Sequence, residues 1–384
     1  MSVLFLILSL AGAAYLSLAL YAVLRFGRRP CARGEDTPSV TVLKPLCGAE
    51  PGLYEHLASF CAQEYPDFEI VFCLHDEGDS AHAAVRAVVA AFPNVRTRVA
   101  FGENPRIANP KIANLCKPGA EPAGEIVVIA DSDILAGRDY LRAIAASFSS
   151  ERTGAVTCLY GGIPNPALAS HLGAMHVEDE FAPSVLVALL LGPLRFCLGA
   201  TMAVRREALA AIGGLAAIGA GLADDHALGN LVAAQGYDVE LSRYAVRTAI
   251  PETTLRELWT HELRWARTNF TMAPAGYAFS FVMYAFPFAL AYLALSQNVV
   301  LGTALCALIA ALRLALHYAA RSALRTTRAT EPWLFPLRDL LSLAIWAASL
   351  ATRTVRWRGI PYDTSPERNP RHPERRREAP KSKG

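Results

Sequence analysis

The sequence predicts an α/β fold with a mostly parallel sheet, flanked on both sides by apolar helices that cross a membrane or lie on it. Between residues 40 and 131, β-branched apolar runs alternate with segments of helical periodicity, which is the pattern of βαβ units. The 384-residue chain is also 53% hydrophobic and only 18% charged, whereas soluble domains carry about a quarter charged residues. Its charge-free stretches lie outside the alternating region.

The first of these stretches, residues 3–24, contains no charged side chain. As a helix it would be about 33 Å long, which is enough to cross a hydrocarbon core of about 30 Å. A cleaved signal peptide is the alternative, but its basic residues should precede the apolar run, whereas Arg25, Arg28 and Arg29 follow it. We therefore predict a retained anchor over residues 1–25, with the chain that follows on the cytoplasmic side.

Residues 38–267 are predicted to form one folded cytoplasmic domain. Apolar runs closed by turn residues predict strands, and apolar spacing of three and four predicts helices. The predicted strands are residues 40–43, 68–74, 95–101 and 125–130, and the predicted helices are 53–63, 81–91 and one that begins at 111. Since ligands bind at the carboxyl ends of parallel strands, the residues that follow each strand are the first candidates for a site.

Residues 268–355 are predicted to form membrane-spanning and interfacial helices. The charge-free run 268–312 is too long for one span, so we expect two spans that turn near residues 296–298. The shorter apolar segment 340–351 is expected to lie in the interface. Residues 356–384 form a basic, Pro-rich tail that we expect to be disordered, and either attraction to anionic lipid or a solubilising role would explain its composition.

Carboxylates follow two of the predicted strands. Asp76 comes after the second strand, and Asp131 and Asp133 come after the fourth. Two carboxylates at positions i and i+2 can share Mg²⁺ or Mn²⁺ with a diphosphate, because these ions prefer oxygen ligands and keep few protein carboxylates. The alternative is a turn in which Asp133 or Asp139 caps a helix, but the strand-end position and the presence of Asp76 favour the metal site.

Two further motifs carry candidate chemistry. Asp224 and Asp225 begin a predicted helix, where they either complement the helix dipole or include a general base that deprotonates an acceptor hydroxyl. His261, Arg264 and Trp265 stand shortly before the second apolar run. Arg and Trp at that position are typical of a membrane-interface belt, but they also suit an arginine on a diphosphate and an indole beneath an acceptor.

In this order the motifs resemble the membrane-bound family 2-type glycosyltransferases, most closely the ceramide glucosyltransferase branch with its related bacterial hopanoid glycosyltransferases. The resemblance covers residues 40–270. The segments most specific to the branch are Val-Leu-Lys-Pro-Leu at 42–46 with Gly48, and Asn-Pro-Lys-Ile at 109–112 followed by Asn-Leu at 114–115. The chain departs from the family pattern at His261, where Gln or Arg is usual, and at Asp133, where some ceramide enzymes have Gly.

The resemblance implies a GT-A fold, a UDP-sugar donor and inversion at the anomeric carbon. It also implies roles for individual residues: Asp225 as the catalytic base, Asp76, Lys111, Asp131 and Arg264 in donor binding, Trp265, Asp224 and His261 in acceptor binding, and Asp131 with Asp133 as ligands of Mg²⁺ or Mn²⁺.

The implied reaction moves one sugar from a UDP-sugar to the hydroxyl of a membrane lipid, with ceramide glucosyltransferase as the first reading. A hopanoid N-acetylglucosaminyltransferase stays open, because residues 43–48 and 156–160 also match that group. The alternative of another class is a non-catalytic membrane scaffold, which would need none of the acids. Expected partners are the UDP-sugar, the lipid acceptor and the bilayer, without nucleic acid. The expected location is the bacterial inner membrane with the catalytic domain in the cytoplasm, and eight cysteines without a Cys-x-x-Cys pair fit that compartment.

Overall fold

The computed structural model describes residues 1–351 other than 33, 35, 105 and 327–329, together with the backbone of 354–357 and 360–363. The chain divides into two compact units. The sheet unit contains residues 30–159 and 193–249, and the helical unit contains residues 1–29, 160–192 and 250–367. Two short strands, Thr354–Trp357 and Ile360–Asp363, pair antiparallel, so the expected disorder of the tail does not hold where these strands overlap it. The rest of the predicted tail lies outside the described residues. The predicted domain 38–267 therefore coincides with neither unit, since 160–192 and 250–267 belong to the helical one.

An eight-stranded mixed sheet organises the sheet unit, in the order β3-β2-β1-β4-β7-β6-β8-β5. Its strands are β1 Val40–Pro45, β2 Phe68–Leu74, β3 Arg96–Phe101, β4 Ile126–Ile129, β5 Ile134–Leu135, β6 Thr153–Pro164, β7 Met202–Arg205 and β8 Asp238–Ile250. The half from β3 to β4 is parallel. β7 is antiparallel to both β4 and β6, and β5 is antiparallel to β8. The prediction of a mostly parallel sheet holds for this first half, whereas the printed pairs of the other half are antiparallel.

The central strands are buried on both faces. Val42, Leu43, Ile70 and Val71 are fully buried, and β2 accordingly has a continuous apolar run at 70–74 and not an alternating one. The helices of this unit are α2 Leu53–Cys61, α3 Ala81–Ala91, α4 Pro110–Leu115, α5 Tyr140–Ala146, α8 Arg206–Ala211 and α9 Asp224–Ala234. Because β2, β1 and β4 are adjacent and parallel, their carboxyl ends lie along the same edge of the sheet.

The helical unit contains the segments that can cross a membrane. Its helices are α1 Ser2–Gly27, α6 Leu168–Met175, a π-helix His176–Phe181, α7 Ala182–Leu191, α10 Leu255–Met272, α11 Pro274–Phe279, α12 Ala285–Leu295, α13 Val299–Leu324 and α14 Phe335–Ser349. Among the described residues, α1 and α13 are long and apolar enough to span, and a pair bent by 55°, Pro274–Met283 with Ala285–Leu295, would make a third span. By the length and composition of these helices the chain is a membrane protein.

The predicted turn near residues 296–298 is present, and the Asn298 side chain caps α13 by accepting a hydrogen bond from the Leu301 N–H. Helix α1 covers the apolar run for which the anchor was predicted.

Three consecutive buried acids explain why residues 160–192 join the helical unit. They lie on the π-helix and pair in order with basic side chains of α13 and α14: Glu178 with Arg321 at 3.7 Å, Asp179 with His317 at 2.9 Å, and Glu180 with Arg338 at 3.5 Å. Burial raises the pKa of Glu178 to about 8. Burial would also raise the pKa of Glu180, but Arg338 and His176 bring it down to about 2. Separating these groups would leave unpaired buried charges, so the segment stays with the helices.

Candidate active site

The predicted donor-binding acids lie at the carboxyl edge of the parallel strands. Asp76 follows β2 in an exposed turn, where its carboxylate accepts a hydrogen bond of 2.7 Å from the Gly78 N–H. Asp131 follows β4, on the other side of β1. Both positions agree with the expectation that site residues follow the strands.

A partly buried lysine joins two carboxylates that are distant in sequence. The Lys111 ammonium lies 2.7 Å from Asp131 Oδ1 and 3.0 Å from Asp224 Oδ2. Burial opposes the charged form of Lys111, yet the two carboxylates outweigh it and raise the lysine pKa. Lys111 is therefore an ammonium ion held between Asp131 on the β4 edge and Asp224 at the start of α9.

Asn109 explains why the segment Asn109-Pro-Lys111 has this sequence. Its side-chain Oδ1 caps α4 by accepting hydrogen bonds from the Lys111 and Ile112 N–H groups. Its amide nitrogen donates to the Gly221 carbonyl at 2.9 Å and to Asp224 Oδ1 at 3.4 Å. One asparagine thus fixes the first turn of α4, which carries Lys111, against the start of α9.

Asp225 lies beside this ion pair with the pKa expected of a general base. Burial and the neighbouring Asp224 raise its pKa to about 6, against the opposing effect of Lys111. The side-chain Oδ1 accepts a hydrogen bond of 2.7 Å from the His226 N–H. Its other oxygen, Oδ2, approaches Gly199, and so does Asp131 Oδ2. A base is most efficient when its pKa lies near the working pH, so Asp225 suits that role.

The turn that carries Asp131 and Asp133 is held by residues that sequence reasoning missed. The buried Lys44 ammonium donates to the Asp131 carbonyl, the Ser132 hydroxyl donates to Glu50 Oε2 at 2.7 Å, and Thr248 donates to Asp133 Oδ2 at 2.9 Å. Lys44 is the last residue but one of β1. A lysine in a mainly apolar strand is the sequence signal that could have indicated its role. Burial lowers its pKa to about 7.

The carboxylates of Asp131 and Asp133 fit Mg²⁺ or Mn²⁺ by the chemistry of their donor atoms. Among the described residues, no group of three or more His, Cys, Asp or Glu side chains is arranged to hold a metal ion. An ion at this turn would therefore take most of its ligands from water and from phosphate oxygens, which is how these hard cations bind in nucleotide sites. Burial, followed by the charge of Asp131, raises the pKa of Asp133 to about 6.

His261, Arg264 and Trp265 lie on α10 in the helical unit. The His261 ring hydrogen-bonds the Glu252 carboxylate and meets the Trp265 indole edge-on, with ring centroids 4.3 Å apart. His176 stacks against Trp265 at 6.0 Å and hydrogen-bonds Glu180 at 2.9 Å. The indole thus contacts two imidazoles, each of which is hydrogen-bonded to a carboxylate.

Sequence reasoning missed Glu252 and His176, since neither lies within the motif. Burial lowers the pKa of Arg264, with Glu252 opposing the effect.

Comparison with known proteins identifies relatives of this chain. The family model described as glycosyl transferase family 21 matches residues 4–369. Ceramide glucosyltransferase 1 of Caenorhabditis elegans is 26% identical over 238 residues, which is 62% of this chain and 51% of the relative. Ceramide glucosyltransferase of Gibberella zeae is 30% identical over 131 residues, 32% of this chain and 25% of the relative. The chain thus spans about half the length of the Caenorhabditis elegans relative and a quarter of the length of the Gibberella zeae relative.

A solved structure shows the same fold. The mannosyltransferase PcManGT from Pyrobaculum calidifontis, in complex with GDP-Man and Mn²⁺, aligns with 91% of this chain and 99% of its own, at a TM-score of 0.58 and 20% identity. The predicted GT-A fold with flanking apolar helices is confirmed at the level of architecture.

Proposed function

Since this chain belongs to glycosyl transferase family 21, we propose that it moves one sugar from a UDP-sugar to the hydroxyl group of a membrane lipid, with glucosylation of ceramide as the first candidate reaction. The matching ceramide glucosyltransferases support the choice of donor and acceptor. The two candidate spans support an acceptor that stays in the bilayer.

The observation that carries the proposal is the carboxylate cluster at the sheet edge. Asp131 and Asp224 share the Lys111 ammonium, and Asp225 beside them has a pKa of about 6. A sugar transferase needs a base for the acceptor and charge neutralisation for the departing diphosphate. A scaffold that only keeps the fold would need neither group.

The proposed reaction is a single displacement. Asp225 accepts the proton of the acceptor hydroxyl, and the hydroxyl oxygen forms a bond to the anomeric carbon of the donor. The bond between that carbon and the β-phosphate oxygen breaks at the same time, and its electron pair leaves with UDP, so the configuration at the anomeric carbon inverts. A divalent cation at Asp131 and Asp133 would neutralise charge on the diphosphate, a role that the Mn²⁺ in the mannosyltransferase PcManGT supports.

Other residues are proposed to bind the two substrates. We assign Asp76 to the nucleoside, Lys111 and Arg264 to the diphosphate, and Trp265, His261 and Asp224 to the acceptor. Contact with two imidazoles supports the role of Trp265, because it restricts the rotation of the indole.

Lipid mass spectrometry tests the proposal. The chain is expressed in a bacterial host that receives ceramide or makes hopanoids, and membranes are incubated with UDP-glucose or UDP-N-acetylglucosamine. We expect glucosylceramide from the chain and none from an Asp225→Asn variant present at the same level. Detection of a hopanoid that bears N-acetylglucosamine would show that the acceptor is a hopanoid and not ceramide, while the type of reaction would stay the same. No glycolipid with any of the four combinations would favour the scaffold.

The proposed location is the bacterial inner membrane with the sheet unit in the cytoplasm, which Arg25, Arg28 and Arg29 after the first span support through the positive-inside tendency. UDP-sugars would then reach the site from the cytoplasm. Protease protection of the sheet unit in right-side-out vesicles, and its loss in inverted vesicles, would test this orientation.

A further inference from the structure

Lys111 contacts a carboxylate that is also a proposed ligand of the metal ion. Its ammonium contacts Asp131 Oδ1 at 2.7 Å and Asp224 Oδ2 at 3.0 Å, and its side chain is 16% exposed. Asp131 is also one of the two residues assigned to the divalent cation. The same carboxylate is therefore shared between an internal cation and an external one.

The position of Lys111 is built into the fold. It is the second residue of α4, and the Asn109 side chain fixes that turn through two backbone N–H groups. The amide of Asn109 also donates to Asp224 Oδ1 at 3.4 Å. The ammonium is thus held against both acids by the local backbone, and not by a freely moving surface side chain.

The charges around Lys111 indicate what its ammonium group does when no nucleotide sugar is bound. The charges of Asp224 and Asp131 act on Asp225, and the charge of Asp131 also acts on Asp133. The buried Lys44 ammonium donates to the backbone carbonyl of Asp131. A divalent cation that binds Asp131 next to the Lys111 ammonium meets both competition for the carboxylate and direct charge repulsion. A diphosphate removes this conflict, because its oxygens can contact the ammonium and the metal together.

From this geometry we propose that Lys111 couples metal binding to donor binding. In the free protein it neutralises Asp131 and Asp224 and keeps the affinity for a divalent cation low. When the nucleotide diphosphate enters, it supplies anionic oxygens to Lys111, and Asp131 becomes available to the metal. The inference rests on the proposed use of a nucleotide sugar, and it adds a residue that makes the two ligands bind cooperatively.

Mn²⁺ binding to the full chain in detergent micelles tests the proposal, with free Mn²⁺ measured by electron paramagnetic resonance in the presence and absence of UDP. For the wild-type chain we expect weak binding of Mn²⁺ alone and an increase of about tenfold or more on addition of UDP. For Lys111→Met we expect Mn²⁺ alone to bind about tenfold more tightly than it binds the wild-type chain, and UDP to add less.

Two matched variants separate competition from a general effect of charge. Arg206→Met removes a positive charge at the amino-terminal edge of β4, where the Arg206 backbone N–H donates to the Glu125 carbonyl and its guanidinium donates to the Ala123 carbonyl, and it should leave Mn²⁺ affinity unchanged. The double variant Lys111→Met with Asp224→Asn keeps the wild-type net charge and frees Asp131, so it should also bind Mn²⁺ alone more tightly. If Lys111→Met does not fold, this double variant still tests the proposal.

Three outcomes would overturn the proposal: wild-type affinity for Mn²⁺ in both Lys111 variants, an equal rise in the Arg206 variant, or no Mn²⁺ binding with UDP present. These outcomes differ from failure of the proposed function, which is measured as the absence of glycolipid from the wild-type chain and requires no metal titration.

Discussion

Asp131 and Asp225 approach Gly199 from β4 and α9, respectively, although they are far apart in sequence. A methyl group on Gly199 would lie 3.6 Å from Asp131 Oδ2 and 3.5 Å from Asp225 Oδ2. Both distances are ordinary van der Waals contacts, and the backbone of Gly199 is not in the left-handed region. Glycine at this position is therefore required neither by strain nor by packing, and it leaves open the space between the proposed metal ligand and the proposed base.

The Gly199→Ala variant should fold normally and transfer sugar poorly. Its methyl group would fill the space between the two carboxylates, where the reacting carbon must lie, and displacements of about 1 Å in an active site reduce rates by about a hundredfold. The measurement is kcat/KM for the lipid acceptor together with the midpoint of thermal unfolding. Gly192→Ala is the control, since its added methyl group meets nothing within 4 Å. Full activity of Gly199→Ala would show that the reaction does not use this space.

Transfer should depend on the ionisation of Asp225. A base must be deprotonated to act, and burial with the charge of Asp224 raises its pKa to about 6. The rate should therefore be at its plateau above about pH 6 and fall about tenfold per pH unit below it. The measurement is kcat/KM of the wild-type chain across this range.

Asp224→Asn supplies the internal control for this pH dependence. It removes the neighbouring like charge, so the pKa of Asp225 should fall and the acidic limb should move to lower pH. If the acidic limb of the pH profile does not move in Asp224→Asn, or if it persists in Asp225→Asn, the ionisation belongs to another group.

Asp131→Ala should remove the effect of metal on donor binding. The variant loses an oxygen ligand that Mg²⁺ or Mn²⁺ would share with the diphosphate. Its affinity for UDP in the presence of Mn²⁺ should therefore equal its affinity in the presence of a chelator, as measured by calorimetry. Asp139→Ala is the matched control, because the exposed Asp139 makes no capping hydrogen bond to α5. Donor binding that still responds to Mn²⁺ in Asp131→Ala would place the metal elsewhere.

The parallel half of the sheet was predictable because its information is local. Residues 68–74 and 81–91 form a strand and a helix with the predicted bounds, since a continuous apolar run and a clear helical spacing each decide one element. The antiparallel strands β6, β7 and β8 were not predicted. β7 lies at Met202–Arg205, and it pairs with β4, more than 70 residues earlier, so nothing in its own short sequence indicates a partner.

The acids of the site were predictable, but the groups that hold them were not. Asp131 follows a predicted strand and Asp225 lies in the first turn of a predicted helix, whereas the hydrogen bond from Lys44 to the Asp131 carbonyl depends on how β1 pairs with β4. The pairing of Glu178, Asp179 and Glu180 with basic side chains was likewise not predictable from the sequence. Three acids in sequence suggest a solvated turn, and their burial becomes understandable only when basic side chains more than 130 residues later are placed beside them.

Arg338 should be essential for the stability of the helical unit. Its guanidinium is 2% exposed and donates two hydrogen bonds to Glu262, at 2.8 and 2.6 Å, besides its contact with Glu180. Arg338→Met leaves the buried carboxylates of Glu262 and Glu180 without this cation, although His176 still hydrogen-bonds Glu180. Loss of one partner of a buried pair costs about 3–5 kcal/mol. We expect a clear fall in the midpoint of thermal unfolding in detergent micelles.

A double-variant cycle separates the buried charge from the lost volume of the side chain. Adding Glu262→Met to Arg338→Met removes one of the stranded carboxylates, so part of the lost stability should return, because apolar replacements of both partners are often tolerated. Arg138→Met is the control: it breaks an exposed pair with Glu64, and exposed pairs contribute about 0–1 kcal/mol. If the double variant is as unstable as the sum of its single variants, packing and not charge explains the role of Arg338.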